Sequence, residues 1–213
     1  MKIKNLLSGT RILEETSSKF NGDIQVVRDF TWGTYIHVNG VTQSGGILNK
    51  IWEEMLKKVL ETKPHVHNCL ILGLGGGSVA RVVSRYWVGS SITGVDIDET
   101  MVKLGEKYLY LDKIDISIKI EDAAKFVEGN KNKYDLILID LYCGSKFPEK
   151  FESEKFMKSV KNLLASGGIA IFNRLYGADR RADSMKMGAK LEKVFWKVDY
   201  VFPQANLELI CYN

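Results

Sequence analysis

From residue 68 to the C-terminus, apolar strand-like runs alternate with segments of helical periodicity, and this alternation restricts the fold more than any other feature. The strand-like runs are residues 68–74, 91–96, 114–120, 134–140 and 168–173. Continuous apolar strands joined by helices are typical of a parallel sheet that is covered on both faces. Two further runs, 198–201 and 207–212, are joined by a short connection, which predicts an antiparallel pair. The sequence therefore predicts an α/β fold with a doubly wound, mostly parallel sheet of seven strands.

The chain before this region has a different pattern. Runs of β-branched and aromatic residues at 24–27 and 34–38 stand beside the turn signals Asn21-Gly22 and Asn39-Gly40. A helix follows, because apolar residues recur at helical spacing from Ile47 until Pro64 ends the pattern. We therefore expect residues 1–44 to form a small antiparallel β appendage and residues 45–213 to form a Rossmann-like ligand-binding domain.

The composition excludes several other classes of protein. The 213 residues are 45% hydrophobic and 26% charged, with a formal net charge of +4, which argues against a disordered chain or a coiled coil. No apolar run approaches the ~18 residues of a membrane span, and residues 1–5 lack the character of a signal peptide, so no membrane association is expected. The odd number of widely spaced cysteines, Cys69, Cys143 and Cys211, favours free thiols in the cytoplasm.

Neither a metal site nor a nucleic-acid surface is expected. His65 and His67 have no further histidine or cysteine nearby that would complete a metal site. The excess of basic residues between Arg174 and Lys197 is typical of a solvated helix face, so nucleic acid is not an expected partner.

In sheets of this type ligands bind at the carboxyl ends of the strands. The first such end carries a glycine-rich loop, Gly73-Leu74-Gly75-Gly76-Gly77-Ser78, that opens a helix. Glycines let the backbone approach a ligand, and a helix N-terminus offers unpaired N–H groups and the positive end of a dipole. A tight turn without a ligand is the alternative, but the position between strand and helix favours a ligand site.

Carboxylates end three other strands. Asp96 follows the glycine loop at close to the ~20 residues typical of nucleotide-binding folds, which favours a bond to ribose hydroxyls over a turn role. Asp122 suits either an adenine amino group or a helix N-cap, and the two roles are compatible. For Asp140, a functional role is favoured over a structural role in capping or holding a loop. Burying a carboxylate at the end of an apolar strand costs free energy unless the group is used or paired. Asp98, in contrast, is expected to be a helix N-cap.

These strand ends together resemble the polyamine aminopropyltransferases, the spermidine-synthase family, which share the class I fold of AdoMet-dependent methyltransferases. The resemblance runs from about residue 23 to residue 213. It is carried by YIHVNGVTQ (35–43), WEEM (52–55), LGLGGGS (72–78), VDID (95–98), ED (121–122) and YDLILIDLYC (134–143). The matching family patterns include "LDGVIQ", "YQEM", "GGGDGG" and "YDVIITDSSD".

The resemblance implies an adenosyl sulfonium ligand, either S-adenosylmethionine (AdoMet) or decarboxylated AdoMet. It implies that Asp96 holds the ribose hydroxyls, that Asp122 binds the adenine amine and that Gln43 lies near the nucleoside. The other residues assigned to this ligand site are Gly73, Gly75, Gly76, Gly77, Ser78, Ile97, Ala123 and Asp140. The family also implies a homodimer.

The chain departs from the family in the residues that would handle the amine. Ser78 is taken to replace the acidic residue of "GGGDGG", Cys143 falls on the second aspartate of "DSSD", and Trp52-Glu53 replaces the tyrosine and glutamine of "YQEM". An acid at the glycine loop favours the ammonium of decarboxylated AdoMet, so Ser78 would leave the helix N-terminus to the carboxylate of AdoMet itself. This predicts methyl transfer from AdoMet to an unknown small-molecule acceptor, with amines among the options.

Asp140 and Glu53 are the expected catalytic residues, since either carboxylate could orient or deprotonate an incoming amine or hydroxyl. For Glu53, a plain position on a helix face is the alternative. Two other functions stay open, which are aminopropyl transfer from decarboxylated AdoMet to putrescine and adenosyl binding without catalysis. The product separates the three functions. Methyl transfer gives S-adenosylhomocysteine, aminopropyl transfer gives methylthioadenosine, and binding without catalysis gives neither.

Overall fold

The computed structural model describes residues 9–177, 179–203 and 206–213, so the N-terminal residues 1–5 discussed above lie outside the described part. The N-terminal region forms an antiparallel sheet in the order β1-β2-β3-β4. Its strands are β1 (Arg11–Ser18), β2 (Gly22–Asp29), β3 (Gly33–Val38) and β4 (Val41–Gly45). Asn39 and Gly40 join β3 to β4 with φ angles of 50° and 78°, the positive values that favour an Asn-Gly hairpin turn.

The rest of the chain builds a seven-stranded sheet in the order β10-β11-β9-β8-β5-β6-β7. Its strands are β5 (Asn68–Leu72), β6 (Ser91–Asp96), β7 (Ile116–Ile120), β8 (Tyr134–Ile139), β9 (Leu164–Leu175), β10 (Lys197–Val201) and β11 (Asn206–Tyr212). Strands β5 to β9 pair in parallel, whereas β11 pairs antiparallel with both β9 and β10. The predicted mostly parallel sheet with a closing antiparallel pair is confirmed.

The helices cover both faces of this sheet. They are α1 (Ile47–Thr62), α2 (Ser78–Tyr86), α3 (Glu99–Tyr108), α4 (Ala123–Gly129), α5 (Glu154–Leu163) and α6 (Arg181–Leu191). Asp98 caps α3 by accepting from the Thr100 N–H at 3.0 Å, as the sequence predicts. Among the described residues, none of the helices is long and apolar enough to cross a membrane.

Three apolar clusters hold these layers together. The first joins α1 and α2 to one sheet face through residues that include Trp52, Met55, Val83, Ile71 and Leu138. The second joins α4, α5 and α6 to the other face through residues that include Val127, Met157, Met187, Ile137 and Phe172. The third packs the N-terminal sheet on α3 through Ile24, Ile36, Met101 and Leu104. The N-terminal sheet is thereby fixed beside the carboxyl ends of β5 and β6, where the ligand site was predicted.

Strand β9 is longer than the sequence predicts. It begins at Leu164, directly after α5, whereas residues 164–167 have the small and glycine-rich composition of a loop. Leu164 pairs with Tyr134, and the register then shifts before Leu136 pairs with Ile169. The extra residues are accommodated by this irregularity, which a pattern of apolar residues does not reveal.

Candidate active site

A cavity of about 340 Å³ opens at the carboxyl ends of the central strands. The glycine loop, the ends of β6 and β8, strand β4 and helix α1 all contribute to its wall. Every carboxylate predicted at a strand end lines it, namely Asp96, Asp122 and Asp140. The cavity therefore coincides with the position where an open α/β sheet binds its ligand.

The glycine loop passes close to neighbouring backbone at two points. Gly73 has a φ of +89°, and a Cβ atom there would collide with the Asp140 carbonyl. Gly76 lies against Gly105 of α3 so closely that a Cβ on Gly105 would come within 2.6 Å of the Gly76 Cα. Gly73, Gly75 and Ser78 line the cavity, whereas Gly76 and Gly77 are not among its lining residues. The glycines at 76 and 77 instead permit close packing on α3 and on Leu111.

The backbone N–H groups of the three consecutive glycines, Gly75, Gly76 and Gly77, are bonded within the protein. The Gly75 N–H donates to Asp96 Oδ2 at 2.6 Å, the Gly76 N–H donates to Ser44 Oγ at 2.7 Å, and the Gly77 N–H donates to a carbonyl in the same loop. Ser78 Oγ accepts from the Gly45 N–H at 2.6 Å and is buried. The Ser78 hydroxyl is therefore engaged with β4, whereas the N-terminus of α2 has no side-chain cap. The expectation that this helix N-terminus receives the carboxylate of AdoMet stays a prediction.

Asp96 sits beneath the loop. Its Oδ2 accepts from Gly75, and its Oδ1 accepts from the Asp98 N–H at 2.8 Å. Burial raises the pKa of Asp96, and these backbone hydrogen bonds oppose that rise. The Ile97 N–H is a third backbone partner, and because a carboxylate has about four acceptor positions, Asp96 keeps capacity for a hydroxyl group from the cavity side. Ile97, the next residue, also lines the cavity, as predicted.

Asp122 is both a helix cap and a cavity residue. Its Oδ1 accepts from the Ala124 and Lys125 N–H groups at 3.0 and 3.3 Å, and its Oδ2 forms an ion pair with Lys150. Burial acts to raise its pKa, but the bonds from Lys150 and the helix N–H groups outweigh burial, so the pKa lies below its usual value. Ala123 lines the cavity beside it. No local pattern points to Lys150, because its partner Asp122 is 28 residues away along the chain.

Asp140 lies at the end of β8 with two side chains bonded to it. Asn173 Nδ2 donates to its Oδ1 at 2.7 Å, and the Trp52 side chain is a second hydrogen-bond partner. Burial raises the pKa of Asp140 to about 6, partly opposed by these two bonds and assisted by the nearby charge of Asp96. A carboxylate with this pKa can exchange a proton near neutrality, which is the property of a general base.

Glu53 lies outside the cavity, contrary to its predicted catalytic role. Its carboxylate pairs with Arg85 Nη2 at 2.6 Å, and both side chains are about half exposed. Successive residues on an α-helix point about 100° apart, so Trp52 and Glu53 cannot face the same wall. Trp52 is the one that faces inward: it is fully buried and lines the cavity.

The loop after β8 closes the remaining side of the cavity. Gln43 lines the wall and donates to the Gly144 carbonyl at 3.0 Å, so it bridges β4 to this loop rather than standing free. Cys143 also lines the cavity, and burial raises the pKa of its thiol. A neutral thiol therefore stands where the family resemblance places a second acid.

A family model for the spermine/spermidine synthase domain matches residues 49–204. A polyamine aminopropyltransferase of Clostridium botulinum (strain Eklund 17B / Type B) is 31% identical over 175 residues, which cover 79% of this chain and 61% of that protein. The chain thus spans less than two thirds of the length of such curated relatives.

Solved structures show the same fold at low identity. A spermidine synthase in complex with the transition-state analogue AdoDATO aligns with a TM-score of 0.80 at 19% identity, covering 95% of this chain and 73% of that one. Human methyltransferase-like protein 13 in complex with SAH aligns with a TM-score of 0.60 at 24% identity, covering 78% of each chain. With the family match extending over most of its length, the chain belongs to the spermine/spermidine synthase family.

Proposed function

We propose that the protein is an aminopropyltransferase that moves the aminopropyl group of decarboxylated AdoMet to a small amine. The observation that carries this proposal is Asp140, a partly buried carboxylate with a pKa of about 6 in the wall of a cavity that Asp96 and Asp122 also line. The polyamine aminopropyltransferases among its relatives support the same reaction. Of the functions that the sequence left open, aminopropyl transfer thus has better support than methyl transfer.

The chemistry of the wall fits an adenosyl sulfonium donor. Asp96 has acceptor capacity left for the ribose hydroxyls, and Leu74, Ile97 and Phe151 supply apolar surface for the base. Several carboxylates around one cavity favour a cationic ligand. A donor that ends in an ammonium needs no backbone N–H groups, and those of Gly75 and Gly76 are already bonded within the protein.

The reaction is a displacement at carbon. The amine nitrogen forms a bond to the carbon beside the sulfonium while the carbon–sulfur bond breaks, and methylthioadenosine leaves with the electron pair. An amine is protonated near pH 7 and must lose a proton before it can attack. Asp140 accepts this proton and orients the nitrogen, and the walls of the cavity align the two reactants.

Methyl transfer from AdoMet is the second candidate because of one observation. Cys143 occupies the position at which the resemblance places a second acid, and its raised thiol pKa keeps it uncharged at neutral pH. An uncharged residue there weakens the attraction for an amine acceptor. The same substitution would suit an acceptor without a positive charge.

The test compares the two donors directly. The purified protein is incubated with decarboxylated AdoMet or with AdoMet, each with 1,4-diaminobutane (putrescine), and the nucleoside products are separated by chromatography. We expect methylthioadenosine from decarboxylated AdoMet. S-adenosylhomocysteine from AdoMet would establish the second candidate, and binding of either donor without product would leave only the non-catalytic function.

Other sequence predictions stay predictions. They are the division between residues 44 and 45, the homodimer, the cytoplasmic location, the absence of a nucleic-acid partner and the roles of individual residues in the site. Sedimentation analysis of the purified protein would test the homodimer.

A further inference from the structure

Glu208 is a fully buried carboxylate in the middle of β11. Among the described residues, neither of its side-chain oxygens has a hydrogen-bond partner. Burial raises the pKa of Glu208 well above its usual value, and the nearby Asp140 carboxylate raises it further. Buried carboxylates are rare unless they are paired, so an unpaired one requires an explanation.

The sheet register places Glu208 in line with the centre of the active site. Ile139 pairs with Phe172, so that Asp140 and Asn173 come next to each other, and Asn173 pairs in turn with Glu208. Neighbouring strands are about 4.8 Å apart, which puts the backbones of Asp140 and Glu208 roughly 10 Å apart. The three side chains form a row across one face of the sheet, with a carboxylate at each end.

The amides between the two carboxylates leave Glu208 without a donor. Asn206 Nδ2 donates to Asn173 Oδ1 at 2.7 Å, and Asn173 Nδ2 donates to Asp140 at 2.7 Å. Both asparagines line the cavity, and Glu208, two residues after Asn206 on the same face of β11, lies directly behind them. A cation that reached past Asn206 would meet an unsatisfied carboxylate.

Resting on the proposed function, we propose that Glu208 is the residue that binds the far ammonium of a diamine acceptor, while the near nitrogen of that acceptor lies at Asp140. An ammonium supplies the charge and the N–H donors that both Glu208 oxygens lack. The methylene chain between the nitrogens lies along the apolar surface of Trp52 and Leu175, which line this end of the cavity. The Asn206 amide turns away from Asn173 to admit the ammonium. Glu208 thus selects diamines over monoamines.

The test measures binding separately from turnover. The protein is saturated with methylthioadenosine, and 1,4-diaminobutane or n-butylamine is titrated in by calorimetry. The variant Glu208→Gln keeps the shape of the side chain and removes its ionisable group, so folding is preserved. Glu61→Gln, which removes an exposed carboxylate on α1, is the matched control.

We expect Glu208→Gln to weaken binding of the diamine by at least ~10-fold while binding of n-butylamine changes less than twofold. Glu61→Gln should change neither. Equal affinity of the wild type and Glu208→Gln for the diamine, or no binding of the diamine to the wild type, would overturn the inference. Failure of the proposed function has a different signature, because the diamine would then bind in a Glu208-dependent manner without any formation of methylthioadenosine from decarboxylated AdoMet.

Discussion

At the scale of single residues, the position of Asp140 lowers the stability of the folded protein but makes its carboxylate a suitable proton acceptor. Its carboxylate is removed from water at the end of β8 and is held by Asn173 and by Trp52. Replacing it with asparagine keeps the shape but removes the proton acceptor. We expect Asp140→Asn to lower the turnover number for aminopropyl transfer by about 10²-fold or more, since general-base catalysis contributes on this order.

Glu53→Gln is the control for this experiment, because the structure places Glu53 in an exposed pair with Arg85. Its turnover number should stay within about twofold of the wild type. Binding of methylthioadenosine, measured by calorimetry, should be unchanged in both variants. A turnover number of Asp140→Asn close to that of the wild type would remove Asp140 from the mechanism.

The pKa of Asp140 also predicts a pH profile. The ionised form is the base, and the pKa is about 6, so the turnover number should rise with pH through a step near 6 and then level off. Steady-state rates between pH 5 and pH 8 at saturating substrates would show this step. A profile that is flat between pH 5 and pH 7 would contradict it.

The raised pKa of Asp140 also affects stability, which falls with rising pH whereas the turnover number rises. The folded protein holds a proton on Asp140 up to about pH 6, whereas the unfolded chain releases it near the ordinary value of 3.8. The free energy of unfolding from this residue therefore falls as pH rises from about 4 to about 6, by on the order of 1–3 kcal/mol. Urea denaturation should show Asp140→Asn to be more stable than the wild type at pH 8 and similar to it at pH 4.

At the scale of the secondary structure elements, the end of β4 and the glycine loop exchange hydrogen bonds. Ser44 accepts from Gly76, and Ser78 accepts from Gly45. Ser44→Ala leaves the buried Gly76 N–H without an acceptor, so we expect the free energy of unfolding to fall by about 1–3 kcal/mol and the affinity for methylthioadenosine to fall with it. Ser17→Ala, on the exposed side of β1, should change stability by less than about 0.5 kcal/mol.

A second link between elements is the ion pair of Lys150 with Asp122. Lys150 belongs to the 3₁₀ turn Glu149–Glu152 and occupies the Asp122 oxygen that the α4 cap leaves free. Lys150→Met should free this oxygen for the adenine amine and tighten binding of methylthioadenosine by a few-fold. Stability should change by less than about 1 kcal/mol because the lysine is half exposed.

Lys155→Met removes a comparable exposed lysine that pairs with Glu128, and it serves as the control for calorimetry. Its affinity for methylthioadenosine should match that of the wild type. Weaker binding by Lys150→Met alone would show that the lysine contacts the ligand rather than competing with it.

At the scale of the whole molecule, local patterns were enough to predict the sheet and the ends of its strands. Apolar runs and capping residues report on a few neighbouring positions, so the seven strands and the Asp98 cap could be predicted from them. The side of α1 that faces the cavity could not be predicted in this way. Trp52 and Glu53 are neighbours on the helix, and which of them points inward depends on where the sheet lies, which local patterns do not define.

Contacts that depend on strand pairing also could not be predicted from the sequence. Glu208 stands in an apolar run, and only the pairing of β11 with β9 shows that this acid faces Asn173 rather than solvent. Lys150 reaches Asp122 across a loop whose path local periodicity does not predict. Residues brought together by topology were therefore missed, whereas residues placed by a single turn or strand end were predicted.

The contact between Gly76 and Gly105 has a consequence for how this site can vary. Because two glycine backbones touch there, the position of the glycine loop depends on how closely α3 approaches it, although neither Gly76 nor Gly105 lines the cavity. A larger residue at position 105 would displace the loop and with it the neighbouring Gly75, which does line the cavity. The shape of the site can thus be altered by a substitution that the ligand never meets.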